Sequence, residues 1–350
     1  MLDIDGSWGE GGGQILRSSL SLAAITGQAI RLYQIRAGRK KPGLAAQHLT
    51  CVRAAAAVCK AEVRGDKLGS MTLEFMPGSP PCPGNYTFDV TEAREGGSAG
   101  AVTLILQTVL LPLAMASGDS VVILKGGTHV AWSPPISYIE QVYIPLLRKL
   151  GLQAELELQA WGWYPKGGGE VHLHIKGNTR LQGQKFLEKG ALQQIKGLAV
   201  VTELPSHIPQ RMAMRCENLL QQAHLKGYVE PIRAKGVAPG AGVFLTAEYE
   251  NIRAGFGALG RRGLPAEMVA QRAVEELVAF HQQDAPVEEF LGDQLLLPMA
   301  LAHSSSQYRV VHMSDHLKTN ALTISQFGLA QIDLNPEESL VCVKPHHSLT

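Results

Sequence analysis

The sequence predicts an α/β protein made of repeated βαβαβ units, with a smaller α/β unit inserted between two of them. Three observations carry this. Three stretches share one order: a glycine-led turn, an apolar helix, a small polar break and a strand. Two of the helices carry nearly the same run, Leu110-Leu111-Pro112-Leu113-Ala114-Met115 and Leu296-Leu297-Pro298-Met299-Ala300-Leu301. Over 350 residues, 45% are apolar and 18% charged, which suits about two folded domains with a real core.

The first unit opens on a short strand and a turn, Gly9-Glu10-Gly11-Gly12-Gly13. Ile15, Leu16, Leu20, Leu22 and Ile25 then recur at helical spacing, and Thr26-Gly27 leads into a strand ending at Tyr33. A second helix over 44–59 and a strand over 61–64 follow, and Arg64-Gly65-Asp66 turns toward further strands. The second unit repeats this with Gly96-Gly97-Ser98-Ala99-Gly100, an apolar helix, Ser117-Gly118-Asp119, a strand over 121–124, a helix over 135–150 and a strand over 153–158. The third has a helix over 295–302, Ser304-Ser305-Ser306, a strand over 308–311, a helix over 317–326 and a strand over 330–333. Residues 183–282 interrupt this spacing with their own order: strand 197–202, helix 209–222, strands 229–234 and 242–249, helix 266–280. A large domain of 1–182 plus 283–343, an inserted domain of 183–282 and a frayed tail of 344–350 are expected.

The formal net charge is +1, so no global field recruits nucleic acid, but the charge is uneven. Residues 11–61 hold no Asp or Glu and eight cations, among them Arg17, Arg36, Arg39, Lys40 and Lys41. Such a run is either a solvated loop or a phosphate-binding surface. The five cysteines are scattered and form no C-x-x-C pair, which suits a reducing cytoplasm and no structural zinc. Asp3 and Asp5 argue against a signal peptide, and the apolar run 99–116, broken by Gln107 and Pro112, reads as a buried helix and not a membrane span.

Glycines in a run can aim several N–H groups at one point, and the helix that follows adds its positive end, an arrangement suited to phosphate. Glu10 inside such a turn suggests an accompanying Mg²⁺ or Mn²⁺. No Lys-Ser/Thr closes the turn, so it is not a P-loop, and Gln14 stands where a dinucleotide fingerprint needs glycine. A plain strand-to-helix turn is the alternative. Near the other end, Ser314-Asp315-His316-Leu317-Lys318-Thr319-Asn320 follows a strand and opens a helix that Ser314 can cap. There the helix dipole keeps the His316 imidazole neutral and nucleophilic; a surface histidine is the alternative. His312 and His316 have zinc spacing, but the strand-to-helix break falls between them. His172 and His174 alternate along one strand face. The loop Trp161-Gly162-Trp163-Tyr164-Pro165-Lys166-Gly167-Gly168-Gly169 either stacks a base or buries its tryptophans in a hairpin.

Together these segments resemble the RNA 3'-terminal phosphate cyclase family over nearly the whole chain. The resemblance rests on residues 9–17, Ile35-Arg36-Ala37-Gly38-Arg39 with Lys41-Pro42-Gly43-Leu44, Gln47-His48-Leu49-Thr50, Leu106-Gln107-Thr108-Val109-Leu110, Gly126-Gly127-Thr128, Tyr164-Pro165 with Gly167-Gly168-Gly169, Asp293-Gln294 with Leu297-Pro298-Met299-Ala300, and His316-Leu317 with Thr319-Asn320. It implies a repeated core like the C-terminal domain of a translation initiation factor, with a thioredoxin-like insert. It implies a reaction in which a histidine is adenylated by ATP, AMP passes to an RNA 3'-phosphate, and the 2'-hydroxyl displaces AMP to leave a 2',3'-cyclic phosphate. On this reading His316 is the nucleophile and Glu10 the metal ligand. Gln107, Phe290, Leu291, Gly292, Asp293 and Gln294 hold the nucleotide, and Arg17, Arg36, Arg39 and Gln47 hold phosphates. Trp161 and Phe290 depart from the family's usual His or Arg and Tyr. A non-catalytic ribosome-assembly factor of this fold and an enolpyruvyl transferase are the competing readings. Retention of His316 and Glu10 speaks against the first, and the second would need a cluster binding a phosphorylated small acid and have no use for a nucleophilic histidine.

Overall fold

The computed structural model describes residues 1–93 and 99–346. The expected turn at Gly96-Gly97-Ser98 and the last four residues of the expected tail lie outside them.

Three four-stranded sheets share one topology. In the first, β1 (Leu2–Asp5), α1 (Gly13–Thr26), β2 (Ile30–Tyr33), α2 (Ala46–Cys59), β3 (Glu62–Arg64) and β4 (Leu73–Met76) form a sheet of order β1-β2-β4-β3. The β1–β2 pair is parallel and the others antiparallel. The second unit repeats this with β5 (Asn85–Asp89), α3 (Val102–Met115), β6 (Ser120–Gly126), α4 (Ile136–Tyr138), a π-helical turn (Ile139–Tyr143), α5 (Ile144–Lys149), β7 (Ala154–Ala160) and β8 (Gly169–Ile175), in the order β5-β6-β8-β7. The third begins with β9 (Lys185–Phe186). Before it resumes, the chain makes a separate sheet from β10 (Leu192–Thr202), β11 (Tyr228–Ala234), β12 (Gly240–Tyr249) and β13 (Arg253–Leu259), with α6 (His207–Gln222) and α7 (Ala266–His281) packed together. Then α8 (Glu289–Ala300), β14 (Ser306–Arg309), α9 (Asp315–Gln326), β15 (Ala330–Asn335) and β16 (Leu340–Pro345) complete the order β15-β16-β14-β9.

Each unit is therefore βαβαββ, one strand longer than expected. The added strand returns antiparallel between the second and third strands, so it fills the gap that the second helical connection leaves in the sheet. Two pairings bear on the ends of the units. Lys185 and Phe186, within the block expected to be inserted, pair with Gln307 and Tyr308 of β14. Lys344 and Pro345, placed in the expected tail, finish β16 opposite Gln331 and Ala330.

The first helices of the units meet in the core. Leu20, Leu22, Leu106, Val109, Leu110, Leu295 and Leu296 are all buried. Pro112 within α3 has no N–H for the Thr108 carbonyl, and Ser21 of α1 donates its hydroxyl to that carbonyl at 2.7 Å. Pro145 likewise frees the Gln141 carbonyl, which accepts from Arg253 of β13 at 3.5 Å. Strand β13 was hidden in the sequence by its glycines. Gly255 makes room for Tyr138 and Val142, and Gly257 for the ring of Phe244. Among the described residues, no helix is long and apolar enough to cross a membrane.

Candidate active site

The N-termini of α1 and α9 meet at one place. Glycine explains how they approach. Gly9 has φ +58° and lies against the Thr319 side chain of α9, where a Cβ would collide with the hydroxyl. The Glu10 N–H donates to that hydroxyl, Thr319 Oγ1, at 3.0 Å. Gly12 leaves the space that the Glu10 carboxylate fills. One Glu10 oxygen pairs with the Arg39 guanidinium, which also donates to the Glu10 carbonyl at 3.2 Å. The other, Oε2, is buried without a hydrogen-bond partner and lies 3.8 Å from His316 Nδ1.

His316 sits in the first turn of α9. Ser314 caps that helix, accepting from the Leu317 N–H at 3.2 Å. The His316 side chain is 49% exposed, so it can be reached. Its pKa is lowered, first by burial, then by Arg17 and Arg39, against the opposing pull of Glu289 and Asp315. These causes were not visible in sequence, where the helix dipole was the stated reason.

Arg17 lies one turn into α1 and forms no ion pair within 4 Å among the described residues. It donates to Gln14 Oε1 at 2.7 Å, and Asp293 acts on it electrostatically. Arg36 holds the Gly43 carbonyl at 2.7 Å. Two other cations of the acid-free stretch are paired elsewhere, Arg31 with Glu74 and Arg53 with Asp66. Gln47 is half-buried at the start of α2.

The run 290–294 forms the first turns of α8. Glu288 caps this helix, accepting from the Phe290 N–H at 2.7 Å and from the Tyr138 hydroxyl at 2.5 Å. Gln107 of α3 donates to Gln294 Oε1 at 2.9 Å, and Gln294 donates to the Phe290 carbonyl at 2.7 Å. Asp293 is buried and faces the same narrow cleft as Arg17, Gln107 and Asn320. Burial pushes its carboxyl up to about 7, against the pull of Arg17; burial also raises Glu288 to about 7. Leu291 and the Gly292 carbonyl point inward, the latter accepting from Tyr308 at 2.5 Å. Phe290 is 66% exposed.

Three neighbours of the site were not singled out from sequence. His48 is buried beside Gly13 and Arg17; its Nδ1 accepts from the Ala45 N–H at 3.2 Å, and burial with Arg36 and Arg17 lowers its pKa to about 3. Asn320 ties α1, α8 and α9 together, accepting from Ser18 at 2.6 Å and donating to the Asp293 carbonyl at 2.8 Å. Thr319 anchors the Glu10 backbone. His48, Thr319 and Asn320 all lie inside the motifs quoted above, which was the available signal.

The other marked segments lie elsewhere. His172 and His174 share the outer face of β8, with His172 on Glu170 at 2.8 Å. Trp163 is buried, and Trp161 stacks on the buried His129 with ring centres 4.3 Å apart. A cavity of about 1070 Å³ lies at the opposite ends of the helices, near Thr26, Met115 and Phe327, and none of the named site residues lines it.

A family model described as RNA 3'-terminal phosphate cyclase matches residues 8–334. Relatives with that same description include a Gloeothece citriformis protein, 81% identical over the full length of both chains. A Nostoc punctiforme protein is 62% identical over 98% of this chain and 99% of its own. One from Methylococcus capsulatus is 52% identical over 97% and 94%. Among solved structures, the enolpyruvyl transferase NikO from Streptomyces tendae matches at TM-score 0.29 and 14% identity, over 51% of this chain and 33% of that one, too slight a likeness to bear on fold or chemistry.

Proposed function

The chain belongs to the RNA 3'-terminal phosphate cyclase family, enzymes of the ligase class, and from that premise we propose that it converts an RNA 3'-phosphate to a 2',3'-cyclic phosphate using ATP. The observation that carries the reading is the reachable His316 imidazole, kept neutral by burial, Arg17 and Arg39 and facing the free oxygen of Glu10.

With Nδ1 turned toward the Glu10 carboxylate, Nε2 of His316 is the attacking atom. It attacks the α-phosphorus of ATP; the bond to the bridging oxygen breaks and pyrophosphate leaves. An oxygen of the RNA 3'-phosphate then attacks the same phosphorus, and the P–N bond breaks, returning a free imidazole. The terminal 2'-oxygen attacks the 3'-phosphorus, loses its proton and expels AMP. Each step is in-line displacement at phosphorus, governed by position and charge neutralisation. Arg17, Arg36, Arg39 and Gln47 would hold the phosphates. Gln107 and residues 290–294 would hold the nucleoside.

A divalent cation, Mg²⁺ or Mn²⁺, fits this site, because Glu10 Oε2 is a buried carboxylate oxygen with no partner. No cluster of three or more acidic, histidine or cysteine ligands occurs among the described residues, so Glu10 would be the protein's main ligand. Bound there, the ion would supply charge neutralisation for the triphosphate.

The residues from β10 to α7, 192–281, read as a thioredoxin-like insert on the larger initiation-factor-like core. Supporting this, β10 and β11 are parallel, β12 and β13 follow antiparallel in the order β11-β10-β12-β13, and α6 and α7 pack on the sheet and on each other. Five free cysteines, three of them buried, suit a cytoplasmic setting.

The test is incubation with α-labelled ATP and a divalent ion. The protein retains label that is acid-labile and alkali-stable, and His316→Ala retains none. Full labelling of that variant would remove His316 as nucleophile. Absence of label on the wild type would favour a non-catalytic relative.

A further inference from the structure

The cyclisation chemistry involves only the last nucleotide of the RNA, and the rest of the strand must leave the site across the surface. One face beyond the site has the composition for it. The loop after β7 and the insert lie side by side: Trp161 bridges Gly236, Val237 packs on Gly168, and Gly240 lies against the Trp163 ring. The Gly260 N–H donates to the Ala241 carbonyl at 2.8 Å, which brings the following residues to the same edge. Lys166, Lys235, Arg261 and Arg262 are all exposed along these loops, and none forms an ion pair among the described residues. The three segments that supply them, 161–169, 231–247 and 251–266, contain no Asp or Glu. Cations left unpaired on adjoining loops attract polyanions, whereas Arg211 and Arg253 of the same insert are matched by Glu267 and Glu248.

The same face shows its aromatics. Tyr164 is 77% exposed, although its neighbour Trp163 is buried. Trp132 is fully exposed and held at φ +65°, a conformation costly for a bulky side chain. Its loop joins the Trp163 segment through the His129–Trp163 bridge. Exposed rings between unpaired cations are the features that bind single-stranded nucleic acid without sequence preference. The face also connects to the catalytic side. His129 Nε2 pairs with Ser137 at 2.8 Å, and the next residue, Tyr138, donates to Glu288, which caps the 290–294 helix.

We propose that this face, centred on Tyr164, Lys166, Lys235, Arg261 and Arg262, is a platform for the single-stranded RNA upstream of the reacting 3' end. It rests on the reading above that RNA is the substrate. Its rings stack bases and its cations follow the phosphates, so it adds affinity for long strands without touching the reacting atoms.

The experiment compares a trinucleotide and a twenty-nucleotide RNA, each with a 3'-phosphate, for the wild type, Arg261→Glu with Arg262→Glu, and Tyr164→Ala. The charge-reversed variant should raise KM for the long RNA at least about fivefold, leave the trinucleotide KM and self-adenylation unchanged, and flatten the salt dependence of long-RNA binding. Each lost phosphate contact removes about 0.7 from the log–log slope. Tyr164→Ala should weaken long-RNA binding with the salt slope intact. An unchanged long-RNA KM, or an equal rise for both lengths, would overturn the platform. A face that serves a protein partner would give the first of these outcomes. If the wild type does not cyclise at all, binding of the long RNA with a 3'-hydroxyl, read by fluorescence polarisation, still tests the platform, because the loss in the charge-reversed variant does not depend on catalysis.

Discussion

His316 Nδ1 stands 3.8 Å from Glu10 Oε2, and the two residues come from opposite ends of the chain. Their approach is built by backbone: the Glu10 N–H is anchored on Thr319, one turn along the helix that carries His316. The carboxylate thus takes one side of the imidazole, the Nδ1 side, and leaves Nε2 on the other. The Arg39 guanidinium occupies the second Glu10 oxygen, so acid, base and cation are coupled in one small volume.

The coupling predicts a pH profile. A histidine at its ordinary value of 6.5 would lose nucleophilicity below neutrality, but burial, Arg17 and Arg39 move His316 lower. Self-adenylation should therefore be flat at neutral pH, with its acid limb below 6.5. Arg39→Gln removes one cation that disfavours imidazolium, so the limb should shift upward. Single-turnover labelling between pH 5 and 8 checks this. A limb that stays in place in Arg39→Gln would show that the arginine does not set the imidazole's charge.

Glycine substitutions separate folding from metal binding in the same turn. Gly9→Ala places a side chain at φ +58° and into the Thr319 hydroxyl, and should cost about 1–3 kcal/mol of stability. Gly12 has φ −104°, which alanine tolerates, but its Cβ would fall on the Glu10 carboxylate. Gly12→Ala should thus unfold almost like the wild type, yet need about tenfold more Mn²⁺ for half-maximal adenylation. Thermal melts and Mn²⁺ titrations of the two variants decide it, and the reverse ranking would refute the account.

The threefold repeat was legible because its helices bury nearly continuous apolar runs, and the Leu-Leu-Pro-Leu-Ala-Met pair recurs in place. The shortfalls have local causes. Lys185 and Phe186 are two residues, too few to show alternation, and β13 reads as a loop because Gly255 and Gly257 interrupt it. In the site, Glu10, Arg17, Arg39 and His316 stood out as charged or nucleophilic groups near helix starts, and the fold brings all four together. His48 did not stand out, since a lone histidine in an apolar helix looks like core. The Tyr138–Glu288 bond joins residues too far apart in sequence for any local pattern to reveal.

That buried bond belongs to a set of four titrating groups with opposed effects on stability. Burial lowers His48 and His129 to about 3, so below 6.5 the unfolded chain takes up protons that the native protein refuses. Stability from these two is present above 6.5 and lost as the pH falls toward 3. Burial raises Glu288 and Asp293 to about 7, from 4.5 and 3.8, so the native protein holds protons that the unfolded chain has released. Their stability is full below about 4 and lost as the pH rises toward 7. Between about pH 4.5 and 6.5 each group contributes about 1.4 kcal/mol per pH unit, and two against two nearly cancel. The wild type should therefore show little pH dependence from this set. Glu288→Gln removes one group that favours low pH, so that variant should lose about 1.4 kcal/mol per unit on acidification. His129→Gln should gain about as much. Urea midpoints at pH 5 and 6 give both slopes, and parallel slopes for the two variants would mean that these groups are not buried in the states assigned to them.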